Sequence, residues 1–191
     1  MAGGPSTPEL VNAVSFGFIA LGTCSVSQAC EWLAACEASF GANLFVPQPE
    51  PLLDDVHRIA DHLQQAVPSV ASDYAEKFAA VLETAPTVVS STFGCFTEPE
   101  IAQLHAVGSQ AWATVTNKTE LREAQARGVD GVIIQGPRAG GHRATWNQHD
   151  DPDQRSLTEL VGDLLPLATV PVIAAGGIRN AEDVAAFDVP V

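Results

Sequence analysis

Short apolar runs alternate with helical segments along the whole sequence, and this alternation strongly limits the folds available to the chain. The runs contain few polar residues, as is typical of strands buried on both faces of a parallel sheet. Six such runs occur, at residues 16–21, 41–46, 87–93, 110–115, 131–136 and 171–177. Parallel strands connected by helices predict an α/β fold.

The segments between the runs carry the start and stop signals of helices. A capping box, or a close approximation to one, is expected at Ser25, Asp73, Thr97 and Ser156. Gly108 and Gly128 stand where the carboxyl ends of two helices are predicted. This local pattern is the same in a closed barrel and in an open, doubly wound sheet, so it leaves both architectures open.

The charge balance argues against several functions. The chain has 191 residues with 23 acidic and 9 basic side chains, which gives a net charge of −14. Such an acidic protein is not expected to bind nucleic acid or an anionic membrane. No apolar run approaches the roughly 18–20 residues of a membrane span, and the first ten residues do not resemble a secretion signal. We therefore predict a cytoplasmic protein.

The cysteines and most of the histidines give little indication of chemistry. The four cysteines, at positions 24, 30, 36 and 95, form no CxxC pair and no zinc-binding spacing. We expect them to be buried free thiols in a reducing compartment, and we predict no metal site. Surface positions are expected for four histidines: His57, His62, His105 and His149.

A long polar loop follows the fifth apolar run, at residues 137–155, "PRAGGHRATWNQHDDPDQR". Loops of this length are usually functional or disordered, and loops at the carboxyl ends of parallel strands hold active sites. Gly140 and Gly141 can bring bare backbone close to a flat ligand, and His142 can act as a general base near neutral pH. A flexible surface turn with a solvated histidine is the alternative interpretation.

Polar or glycine residues at other strand ends also suit either a ligand-binding role or a purely structural one. Gly176 and Gly177 follow the last apolar run and suit either a phosphate-binding turn or a tight strand–helix turn. Asn43 and Thr114 lie inside apolar runs, where they suit either a ligand contact or a buried backbone partner. Gln135 suits either the edge of a heteroaromatic ring or a hydrogen bond within the turn.

Four stretches together resemble the nitronate monooxygenase family, formerly called 2-nitropropane dioxygenases. They are "MAGGPSTPELVNAVS", "FGANLFVPQP", "GVDGVIIQGPRAGGHRATW" and "PVIAAGGI", in the family's order. The resemblance implies a (β/α)8 barrel of the TIM type that holds FMN noncovalently. It also implies oxidation of alkyl nitronates or nitroalkanes with O2 to carbonyl compounds and nitrite, so the expected partners are the small-molecule substrate and O2.

The resemblance also implies roles for individual residues. His142 matches the family's catalytic histidine. The positions that match FMN contacts in relatives are Met1, Ala2, Asn43, Thr114, Gln135, Gly140, Gly141, Gly176 and Gly177.

The sequence departs from the family pattern at both ends. Relatives have a strand before "MAGG" and another after "VIAAGGI", so six of eight strands are expected here. We therefore predict a single FMN-binding barrel domain over residues 1–191, incomplete at its N- and C-terminal ends. Two alternatives stay open: a related FMN-barrel, NAD(P)H-dependent enoyl reductase, and a noncatalytic remnant of the family. The sequence does not indicate the oligomeric state.

Overall fold

The computed structural model describes residues 4–37, 39–49, 52–66 and 72–187, and within them it confirms all six predicted strands. The strands are β1 (Phe18–Ala20), β2 (Gly41–Phe45), β3 (Val88–Thr92), β4 (Gln110–Val115), β5 (Gly131–Gln135) and β6 (Val172–Ala175). The helices are α1 (Pro8–Asn12), α2 (Val26–Ala35), α3 (Leu53–Leu63), α4 (Tyr74–Thr84), α5 (Glu98–Ala106), α6 (Lys118–Ala126), α7 (Leu157–Leu164) and α8 (Ala181–Ala185), with a 3-10 turn at Leu165–Leu167. No helix in these ranges is long and apolar enough to cross a membrane.

The strands form one parallel sheet in which each strand pairs with the next one along the chain. A doubly wound sheet reverses its strand order at a switch point, and this sheet does not. A flat six-stranded sheet would separate its outer strands by roughly 24 Å. Here Ala20 of β1 and Ala175 of β6 line the same cavity, so the sheet is curled. The fold is the six-stranded part of a (β/α)8-type barrel that the sequence predicts.

The two faces of the curled sheet have different neighbours. Ala42 and Leu44 of β2 point outward and are fully buried in a core shared with the helices. Asn43 and Phe45 alternate with them and face the inside of the curl, where they are partly exposed. The other strands alternate in the same way, because successive strand residues point to opposite faces.

The helix starts agree with the sequence at three of the four expected caps. Thr97 and Ser156 form complete capping boxes, and the Ser25 side chain accepts a hydrogen bond from the Gln28 amide. The prediction for Asp73 is wrong, since this residue precedes α4 but makes no side-chain cap. Its carboxylate instead pairs with the ammonium of Lys77, one turn along, at 3.0 Å.

Both predicted helix-end glycines have the left-handed backbone that glycine favours. Gly108 and Gly128 have φ values of 84° and 85°, directly after the last residues that cap α5 and α6. This conformation costs other residues free energy because of their Cβ, so glycine stops each helix at low cost.

The four cysteines are free thiols, but they are not all buried. Cys24 and Cys95 are buried and Cys36 is half-buried, whereas Cys30 is exposed. Cys30 follows the buried Ala29 on α2 and so lies on the solvent side of that helix. The prediction of burial is therefore wrong for Cys30. Burial raises the pKa of the Cys95 thiol to about 12, which makes it unreactive at neutral pH.

We expect Gly131→Ala to destabilise the fold because Gly131 lies under the indole ring of Trp112 on the neighbouring strand. A Cβ at position 131 would overlap that ring, and Trp112 is itself buried and held by a hydrogen bond to Gln110. Overpacking of this kind reduces the free energy of unfolding by about 1–3 kcal/mol. Urea unfolding of the two proteins measures the change.

Gly162→Ala is the matched control, because Gly162 lies within α7 and a Cβ there would meet no atom within 4 Å. Alanine in a helix interior should raise the free energy of unfolding by about 0.5–1 kcal/mol. Equal stability of Gly131→Ala and the unmodified protein would contradict the packing described for Trp112.

Candidate functional site

A cavity of about 610 Å³ opens at the carboxyl ends of the strands, inside the curl of the sheet. All six strands and the loop after β5 contribute to it. Its walls are formed by Phe18, Ala20, Thr23, Asn43, Phe45, Ser90, Thr92, Phe93, Thr114, Ile133, Gln135, Ala139, Gly140, Gly141, His142, Ala175 and Gly176. Seven of the residues that the sequence singles out therefore lie around one space.

His142 differs from the rest of the wall in its chemistry. Among the described residues that form the wall, the others are apolar or uncharged polar, and His142 carries the one imidazole. Its ring is exposed and stands edge-on to the ring of Phe93, with centroids 6.1 Å apart and an interplanar angle of 87°. Gly141 has a φ of 85°, so the chain turns directly before the histidine. An imidazole in this position can accept or donate a proton in the cavity.

Gln135 connects the end of β5 to the loop that carries the histidine. Its amide nitrogen donates to the carbonyl of His142 at 3.3 Å, and its side-chain oxygen accepts from the amide of Ala144 at 2.8 Å. The sequence left open whether Gln135 contacts a heteroaromatic ring or hydrogen-bonds within the turn, and the structure shows the hydrogen bonds within the turn. The side chain also lines the cavity, where it remains available to a ligand.

Asn43 and Thr114 are both wall residues, and the structure also gives each a structural partner. The Asn43 amide nitrogen lies within hydrogen-bond distance of the Ser90 hydroxyl at 2.9 Å and the Thr92 hydroxyl at 3.0 Å. Thr114 is 6% exposed, and its carbonyl accepts a hydrogen bond from the Trp146 indole at 2.8 Å. These contacts stabilise the inner face of the sheet around the cavity.

The turn after β6 packs directly against the loop after β5. Gly176 and Gly177 have φ values of 110° and 79°. A Cβ on Gly176 would lie 3.0 Å from the Ala139 amide nitrogen, and a Cβ on Gly177 would lie 2.6 Å from the Cβ of Arg138. Gly176 lines the cavity, whereas Gly177 faces Arg138 and is not among the cavity residues.

The amides at the start of α8 are already used within the protein. The Asn180 side-chain oxygen accepts from the amides of Glu182 and Asp183, at 2.9 and 3.0 Å. An anion at this strand–helix junction would therefore contact the glycine turn more readily than the first turn of the helix.

The remaining candidates from the sequence do not add to this cavity. Met1 and Ala2 lie outside the described residues. The four other histidines are exposed and none is a wall residue. His105 hydrogen-bonds Asp130 at 2.7 Å, and Asp130 also accepts from the amide of Ala111, so this pair stabilises the fold. No cluster of three or more potential metal ligands occurs in the ranges that the structure describes.

Phe93 is a cavity residue that the sequence analysis does not identify. It is the first residue after β3 and has a φ of 68°, which is rare for a bulky side chain. Its ring also packs edge-on against Phe45 at 4.8 Å, and its carbonyl accepts a hydrogen bond from Gln48. Strained backbone of this kind occurs often at functional sites. A phenylalanine at a strand end resembles an ordinary core residue in sequence, so no local pattern indicated it.

We expect Gly177→Ala to loosen the loop that carries His142. The added Cβ would displace Arg138 and would also impose a left-handed backbone on alanine, which costs about 1–2 kcal/mol. Trypsin should then cut after Arg138 faster than in the unmodified protein.

Gly128→Ala controls for backbone strain alone, since Gly128 has a similar φ of 85° and a Cβ there meets nothing within 4 Å. It should leave cleavage after Arg138 unchanged. If both variants increased this cleavage equally, packing between the two loops would not be the cause.

Comparison with known proteins relates this cavity to one family. The family model described as "Nitronate monooxygenase" matches residues 1–187. A nitronate monooxygenase of Paraburkholderia phytofirmans is 31% identical, over 96% of this chain and 56% of its own length. This chain therefore spans little more than half of that relative.

Solved structures agree with this assignment. The crystal structure of nitroalkane oxidase from Streptomyces ansochromogenes superposes with a TM-score of 0.83 and 32% identity, over 97% of this chain and 60% of that one. FabK from Thermotoga maritima superposes with a TM-score of 0.72 at 22% identity, which shows a shared fold alone. Because the family model matches 187 of the 191 residues of this chain, the chain belongs to the nitronate monooxygenase family.

Proposed function

We propose that the cavity binds FMN together with an alkyl nitronate or nitroalkane, which the protein oxidises with O2 to a carbonyl compound and nitrite. The observation that carries this proposal is the position of His142, whose imidazole can take up or give up a proton, among otherwise uncharged cavity walls. Membership of the nitronate monooxygenase family supports it.

The cavity residues suit a flavin ring. The cavity volume is within the range of small-molecule sites, roughly 300–1,000 Å³. Its wall combines uncharged hydrogen-bonding side chains such as Asn43, Thr114 and Gln135 with the aromatic rings of Phe45 and Phe93. A flat heteroaromatic ring with a polar edge needs both kinds of contact. We therefore assign the three polar side chains to the edge of the ring.

The glycines complete the proposed cofactor site. Gly140 and Gly141 would offer backbone to the ring, and Gly176 would offer backbone near the phosphate, with Gly177 shaping the turn behind it. Contacts by Met1 and Ala2 remain predictions from the family resemblance. When bound, flavin supplies the electron acceptor that protein side chains lack.

His142 would manage the proton of the substrate. A neutral nitroalkane must lose a proton from the carbon that bears the nitro group before it becomes a nitronate, and the neutral imidazole can take that proton. A preformed nitronate needs no such step, and the imidazole would then only orient the anion. General-base catalysis typically contributes about 10²–10⁴-fold to a rate.

We expect His142→Ala to reduce turnover of neutral nitroalkanes by about 10²–10⁴-fold, because the base is removed. The loss with a preformed nitronate should be smaller, and flavin content should change little because the proposal gives the imidazole no contact with the flavin. Oxygen uptake with both substrate forms and the flavin absorbance of each preparation test this expectation.

His149→Ala is the matched control, since His149 is exposed in the same loop but is not a cavity residue. It should behave as the unmodified protein does. Full nitroalkane turnover by His142→Ala with normal flavin content would disprove the catalytic assignment.

The same preparations test the alternative functions. An enoyl reductase would oxidise NAD(P)H with an enoyl thioester, and a noncatalytic protein would be colourless and inert with either substrate. We propose a cytoplasmic location for the reaction, because free thiols are typical of a reducing compartment.

A further inference from the structure

Glu120 is a buried carboxylate beneath the loop that carries His142. It lies in the first turn of α6 and is 5% exposed. One of its oxygens accepts from the amide and the hydroxyl of Thr116, at 2.5 and 2.8 Å. The other oxygen accepts from the amide of Trp146 at 2.9 Å. A buried carboxylate is tolerated only with such partners, so loss of these hydrogen bonds would destabilise the folded protein.

Trp146 is the point at which the loop meets the sheet. Its amide bonds to Glu120, and its indole nitrogen donates to the carbonyl of Thr114 on β4 at 2.8 Å. Gln135 holds the same segment at His142 and Ala144, as described above. The segment 142–146 is therefore attached to β5 at one end and to β4 and α6 at the other.

Arg143 lies between His142 and Ala144 in this segment and adds a half-buried positive charge. Its guanidinium donates to the carbonyls of Gln135 and Asp153. Burial lowers the pKa of Arg143, and the negative charges of Glu120 and Asp153 counteract this effect. Its Nε atom is buried without a partner in the described part of the chain. The carboxylate of Glu120 thus also compensates a cation within the loop.

We propose that Glu120 is a positioning residue, which fixes segment 142–146 so that the ring of His142 faces the cavity. The anchoring of the segment follows from the hydrogen bonds of Glu120, whereas its effect on turnover rests on the proposed function. Glu120 is not among the cavity residues, so its effect on the reaction passes through the loop.

The chemistry of the site requires a carboxylate and not an amide. The two oxygens of Glu120 accept backbone N–H groups from two different segments, at Thr116 and Trp146. Glutamine has one acceptor oxygen, and Thr116 offers it two donors whereas Trp146 offers one, so the oxygen should stay at Thr116 and the NH2 group should face the Trp146 amide. Glu120→Gln should therefore break the link between α6 and the loop while it keeps the size of the side chain.

The test compares Glu120→Gln with Glu123→Gln, a control on the same helix whose carboxylate is 46% exposed and pairs with Arg127. Hydrogen exchange of the amides in segment 142–146 should accelerate about tenfold in Glu120→Gln, as for loss of one hydrogen bond, and stay unchanged in Glu123→Gln. The proton NMR resonances of the His142 ring, which stands edge-on to the ring of Phe93, should move in the first variant alone. Neither readout depends on activity.

Trp146→Phe is the second variant, and it leaves the buried charge of Glu120 intact. It removes the indole bond to Thr114 and should also accelerate exchange in the segment, which tests the anchoring of the segment independently of how well Glu120→Gln folds. In active protein, Glu120→Gln should lower kcat for neutral nitroalkanes about 10- to 100-fold with flavin content retained, as expected for a misplaced base.

Unchanged exchange and an unchanged His142 spectrum in folded Glu120→Gln would overturn the proposal. If both change while the unmodified, flavin-loaded protein does not oxidise nitronates, the positioning role stands and the proposed function fails. If both change and kcat for nitroalkanes does not, the positioning role is again supported, and the assignment of His142 as the base is wrong.

Discussion

Each strand of this protein packs against helices on one face and borders a cavity on the other, and most of the structure depends on this double constraint. One face of the curled sheet packs on helices and is mostly apolar, as at Leu44 and Ile134. The other face encloses a cavity and carries polar side chains, some of which hydrogen-bond one another. The Asn43 amide nitrogen lies within hydrogen-bond distance of the Ser90 and Thr92 hydroxyls, so these contacts hold a polar patch together inside the sheet.

The cavity is a candidate functional site because the loop after β5 is fixed in its wall and brings His142 to it. The loop after β5 is attached by side chains of the sheet and of α6, and its closest approach to the turn after β6 depends on the lack of a Cβ at Gly176 and Gly177. The histidine therefore sits on a segment with several fixed points and not on a free surface turn. Such support is what a proton-transfer group requires, since small displacements reduce its rate considerably.

Much of the fold could be predicted because its signals are local. A continuous apolar run indicates a buried parallel strand, and the caps at Thr97 and Ser156 depend on residues three positions apart. The cap expected at Asp73 failed because Lys77, one turn along, competes for the same carboxylate. Cys30 was misjudged because composition does not tell which face of a helix a residue occupies.

The candidate site was predictable only in part. Strand-end residues could be found from their position, because parallel strands bring their carboxyl ends together. Glu120 looks in sequence like a residue of an ordinary first helical turn, and its partner Trp146 is 26 positions away. Phe93 has no local signal, since its ring contacts Phe45 and His142, which lie far from it in sequence. Contacts of this kind depend on the three-dimensional structure.

The outer strands of the sheet have a consequence for how copies of the protein behave together. Within the described residues, β1 pairs only with β2, and β6 pairs only with β5. In the range 4–187 each therefore has a side whose backbone groups have no strand partner, and a side of this kind can take up a further strand, from this chain or from another copy. The net charge of −14 opposes pairing between copies through mutual repulsion, which extends over roughly 8 Å in physiological salt and shrinks to about 3 Å in 1 M salt. The charge that keeps molecules apart at low ionic strength therefore protects these strand sides less as the salt concentration rises.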